Sequence, residues 1–137
     1  MSPKSKLDFS MSGISRFEIF FKIVVSFFIV TMGIYLHLMQ VPDVDIDTSF
    51  SIDKLAHIAF FYVSSLWFLL IARNDQAIVI VIFMAVYAFS LELLQMTVAY
   101  RTFEWLDLFV DIVGIFLSFI HVFKKDILNK IKSTKAC

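Results

Sequence analysis

The chain has one cysteine in 137 residues, Cys137, and a lone cysteine can form no disulfide within the chain. Proline is nearly as scarce, and neither Pro3 nor Pro42 falls inside a long apolar run, so nothing of that kind breaks a helix there. Charge of one sign is also missing. Twelve Lys and Arg balance twelve Asp and Glu, which leaves no basic excess of the kind that holds nucleic acid. No phosphate-binding loop, nucleophile motif or Cys/His metal pattern can be read, and there is no internal repeat.

What is present is apolar. Hydrophobic residues make up 60% of the chain, 17 of them Phe, and the mean hydropathy is +0.86. A soluble fold of this size cannot enclose that much apolar surface, which places the chain in a membrane. Four segments stand out: Ile23 to Met39, Leu55 to Ala72, Ala77 to Val98 and Leu106 to Phe123. Each approaches the roughly 20 residues a helix needs to cross the hydrocarbon core. Continuous runs without two-residue alternation exclude a β-barrel. The expectation is an all-α protein: a single membrane domain over 1–137 with four transmembrane helices at about 17–39, 54–72, 77–98 and 105–123, forming one bundle, followed by a basic tail over 124–137.

Orientation follows from the cations. Ten of the twelve lie in the N-terminal flank, at Arg73 or in the tail, while Lys54 and Arg101 lie in the two remaining loops, the first of which carries Asp43, Asp45, Asp47 and Asp53. The positive-inside rule then puts both termini and the tail of this multi-pass chain in the cytoplasm. A cleaved signal peptide would share the basic flank, but the first apolar core is too long for one and no A-x-A site follows. The Asp43, Asp45, Asp47 series imitates the start of an EF-hand loop, yet it lacks the central Gly and has Lys54 where the Glu should stand, so it reads as a solvated acidic loop.

This topology gathers polar residues from distant segments. Asp53, Lys54 and His57 open the second helix, Glu92 and Gln95 close the third, Arg101 sits in the loop, and Asp107 and Asp111 open the fourth, all on the outer side, with His37 near the outer end of the first. In the fourth helix Asp107, Asp111, Gly114, Ser118 and His121 recur at intervals of 4, 3, 4 and 3, a stripe that faces protein and not lipid. Ala85, Ala88, Glu92, Gln95 and Ala99 repeat it in the third helix, and small residues allow close helix approach. A carboxylate within a membrane helix costs about 2.5 to 3.5 kcal/mol at the centre, less near the interface, and one Arg and one Lys cannot offset three of them. The imbalance argues for a functional site over simple interhelical adhesion.

These residues also carry a resemblance. The segment DKLAHIAFF (53–61), then Glu92 and Gln95 as E-x-x-Q, Arg101 after five residues, Asp107 after five more and Gly114 seven later, resembles the VanZ-like family of small bacterial membrane proteins. The likeness covers about 53–118. Asp111 stands where that family usually has Asn, and Ser118 where it usually has a second Gly. The resemblance implies a role in the cell envelope and in tolerance of teicoplanin-type glycopeptides.

The expected site therefore binds, and in the stronger version modifies, an anionic lipid or lipid-linked envelope precursor. Asp53, His57, Glu92 and Asp107 are its candidate acid-base groups, and Lys54, Gln95, Arg101 and Asp111 its candidate ligand contacts. Membrane lipids are the expected partners, a second membrane protein is an alternative, and nucleic acid is excluded. No cofactor or metal is expected, although Asp53, His57 and Glu92 are the set that the sequence would offer to one. The competing expectation is a non-catalytic module whose polar seam sets helix packing or docks a partner.

Overall fold

The computed structural model describes residues 3–39, 52–99 and 103–135, with side chains for 16–39, 52–99 and 103–124. The order is α1 (Pro3–Leu38), α2 (Ile52–Ile71), a short 3-10 turn at Asn74–Gln76, α3 (Ala77–Gln95) and α4 (Trp105–Lys135). All four helices contain a stretch long and apolar enough to cross a membrane: Arg16–Leu38, Ile52–Ile71, Asn74–Gln95 and Trp105–Lys124.

The ends of the helices differ from the sequence expectation where local chemistry intervenes. α1 starts at Pro3 instead of near 17, and proline suits the first helical position, where its missing N–H is not needed. α3 stops at Gln95, three residues early. The Thr97 and Val98 amides donate to the Leu94 and Gln95 carbonyls, and the Thr97 hydroxyl donates to the same Leu94 oxygen at 2.7 Å. Those i to i−3 bonds tighten the last turn and use up the carbonyls that a continuing helix would need. α4 runs on to Lys135, through the tail, because neither Gly nor Pro follows Phe123 to stop it.

Two units are distinguished along the chain. Residues 1–32 form one, and residues 33–137 the other. The first is a length of helix whose side chains Phe17, Phe20, Phe27 and Phe28 are exposed. The second contains the last turns of α1 with α2, α3 and α4. Its core is Phe61, Met84, Ala88, Leu91 and Ile115.

The tightest packing in this unit joins α2 to α4. A Cβ built on Gly114 would lie 2.6 Å from the Ile58 carbonyl oxygen and 3.1 Å from the Tyr62 nitrogen, both backbone atoms that cannot turn aside. Gly114 is thus what lets the two backbones meet. Gly33 does the same for the end of α1, where a Cβ would strike the Tyr87 hydroxyl and the Phe60 ring. The burial pattern is inverted relative to a soluble protein: Glu92 and Asp111 are 0% exposed, while Phe109 is 63% exposed. Carboxylates inside and phenyl rings outside are what a lipid solvent selects.

Candidate functional site

The short 73–76 turn makes α2 and α3 antiparallel neighbours, so the start of α2 and the end of α3 lie at the same end of the unit. The last turn of α1 and the first turns of α4 come to that end too, as the bonds among them show. Asp53 and Asp107 occupy first turns, where the positive end of the helix dipole favours a carboxylate, and His37 occupies a last turn.

The side chains form two layers. In the layer nearer the helix ends, Lys54 Nζ donates to Asp107 Oδ1 at 3.0 Å and to Glu104 Oε2 at 3.3 Å. Asp107 is buried, whereas the Glu104 side chain is half exposed. Glu104 also starts α4: its carbonyl accepts from the Asp107 and Leu108 amides at 3.1 and 3.3 Å. One helical turn further in lie His37, His57, Glu92 and Asp111, all buried. His57 Nδ1 is 2.9 Å from Asp111 Oδ1, and the His37 and His57 rings meet edge-on with centroids 4.6 Å apart. His37 Nδ1 lies 2.8 Å from the Gly33 carbonyl oxygen, to which it donates.

Two further bonds tie the layers together. Gln95 Nε2 donates to the His37 carbonyl at 3.1 Å, and the Glu104 amide reaches Glu92 Oε2 at 3.5 Å. The other oxygens, Glu92 Oε1 and Asp111 Oδ2, are buried with no hydrogen-bond partner among the described residues. A buried carboxylate oxygen without a donor costs on the order of 1–3 kcal/mol or more, so its persistence asks for an explanation.

Of the residues expected from the sequence, Lys54, His57, Glu92, Gln95, Asp107 and Asp111 come together here, and Asp53 joins them through a ligand-atom cluster with His57 and Asp107. Arg101 lies outside the described residues, as do Asp43, Asp45 and Asp47. His121 departs from its stripe: it is exposed and bonded to the Tyr62 hydroxyl at 2.6 Å. Ser118 stays buried, its hydroxyl donating to the Ile115 carbonyl at 2.7 Å.

Two participants were not among the candidate acid-base and ligand groups, although His37 was placed at the same end. His37 had the right position, near the outer end of the first helix, but a single His on an apolar helix carries no pattern by itself. Glu104 reads in sequence as a loop residue, and only its place as the first carbonyl of α4 points it at Lys54.

Four membrane-length helices, with a buried cluster of ionisable side chains where they end, define a multi-pass helical membrane protein with an internal polar site. The family model described as VanZ/LLP1 matches residues 8–127, and the chain belongs to that family. No curated protein and no solved structure matches it.

Proposed function

We propose that this VanZ-family protein sits in the bacterial cytoplasmic membrane with both termini inside, and binds the anionic head group of a lipid or lipid-linked envelope precursor at the outer ends of its helices. The observation that carries the reading is the burial of Glu92, Asp107, Asp111, His37 and His57 at one end of an apolar unit. Ionisable groups are expensive there, and adhesion between helices needs far fewer of them. The uneven distribution of Lys and Arg supports the outward placement.

In this reading Arg101, in the loop between α3 and α4, holds a phosphate or carboxylate through its planar fork. His57 and the carboxylates Asp53, Glu92 and Asp107 are the groups able to exchange protons with a bound head group. The exposed apolar sides of α2 and α4 leave a lipid tail in contact with the bilayer while its head enters the site. A part in glycopeptide tolerance would follow from occupancy of a lipid-linked precursor.

Native mass spectrometry of the protein in nanodiscs tests the proposal. The wild type should retain an anionic lipid that Arg101→Ala loses, and identical spectra from the two would refute it. A structural or docking role is the second reading, favoured by the number of side-chain bonds that cross between helices, among them Lys54 to Asp107 and Gln95 to His37. In that case lipid retention follows stability and nothing else.

A further inference from the structure

We propose that His37, His57, Glu92 and Asp111 bind one divalent transition-metal ion, of the zinc or manganese class. The proposal stands independently of the lipid reading, since it concerns the inner layer of the site and not the loop that would hold an anion.

One ligand atom from each of the four residues lies within 4.8 Å of those of the other three. In a tetrahedral zinc site with bonds of about 2.1 Å, neighbouring ligand atoms are about 3.4 Å apart, so closure needs side-chain shifts of roughly an ångström and no movement of a helix. The hydrogen bonds already present select the atoms. His37 Nδ1 donates to the Gly33 carbonyl, which fixes the tautomer with the lone pair on Nε2. His57 Nδ1 and Asp111 Oδ1, bonded at 2.9 Å, already stand at about the spacing of two ligand atoms on one ion. Glu92 Oε1 and Asp111 Oδ2 are buried carboxylate oxygens without partners among the described residues. The four ligands thus come from α1, α2, α3 and α4, one each.

Charge leads to the same conclusion. With neutral imidazoles, Glu92 and Asp111 would place two negative charges in a water-poor interior. Among the described residues no Lys or Arg is bonded to either, because Lys54 is already taken by Asp107 and Glu104. A divalent cation cancels that charge and gives both orphaned oxygens a partner. Two imidazoles with two carboxylates suit zinc, manganese or ferrous iron, whereas magnesium and calcium prefer oxygen alone. A second cluster, Asp53, His57 and Asp107, shares His57 and sits nearer the helix ends.

The test starts from protein purified in detergent, stripped with a chelator and titrated with Zn2+, with Mg2+ as the control ion. The expected result is saturable binding of about one Zn2+ per chain, at least tenfold weaker in both His57→Gln and Glu92→Gln and unchanged in His121→Gln, whose histidine lies outside the cluster. Co2+ added to the stripped wild type should give a ligand-field absorption spectrum that excess Zn2+ abolishes. This measurement does not depend on any variant folding. Absence of both saturable Zn2+ binding and a Co2+ spectrum in the wild type would overturn the proposal. So would binding that is equal in wild type, His57→Gln and Glu92→Gln. Neither result bears on lipid retention, which is read separately from Arg101→Ala.

Discussion

Removing the Lys54 ammonium probes the site most directly. Lys54 holds Asp107 at 3.0 Å, and the two side chains are only 12% and 3% exposed, so water cannot take over if one of them is lost. In Lys54→Met the aliphatic stem is preserved while Asp107 is left buried without its cation. Breaking a buried pair from one side costs about 3–5 kcal/mol, and the partly exposed contact to Glu104 adds little, since surface pairs contribute about 0–1 kcal/mol. The double variant Lys54→Met with Asp107→Leu removes both charges and should recover most of that loss, because a buried pair exchanged for apolar side chains is often close to neutral. Unfolding free energies from titration with a denaturing detergent in mixed micelles would provide the four corners of the cycle. If Lys54→Met cost less than about 1 kcal/mol, or if the double variant were as unstable as the single, the pair would not be the buried interaction described here.

Other outcomes are equally open to measurement. Gly114→Ala should lower stability by about 2 kcal/mol or more in the same titration, because its Cβ meets the Ile58 carbonyl at 2.6 Å and α2 and α4 must separate; wild-type stability would refute the close crossing. Ser118→Ala removes a local hydroxyl bond to Ile115 and should cost at most about 1 kcal/mol. Single cysteines at positions 48 and 102 in a Cys137→Ser background should react with an impermeant maleimide in intact cells, and reaction only after permeabilisation would reverse the proposed orientation. Arg101→Lys keeps the charge but loses the fork, so it should fold normally and lose head-group affinity by about 1.5–3 kcal/mol; a variant with normal lipid retention would remove Arg101 from the site.

The sequence by itself determined the class, the number of helices and most of the polar residues that meet. The reason is the solvent: a lipid-spanning helix must be continuously apolar, so any ionisable residue within one stands out against its surroundings. Glu92, Asp107 and Asp111 were legible in that way, and the alternating directions of four spans put them at one end. Spacing along a single helix can also place Asp53 beside His57, since it depends only on the 3.6-residue period.

Which groups bond across helices could not be read, because rotation and depth of each helix are set by side-chain packing. The crossing at Gly114 brings His57 to Asp111 rather than to Glu92. The start of α4 at Glu104 decides that Lys54 is held by carboxylates instead of lying open. His37 enters the cluster because Gly33, one turn before it, lets α1 approach Phe60 and Tyr87. That last contact turned a set of polar residues into two histidines and two carboxylates around a common centre, an arrangement that only the tertiary structure decided.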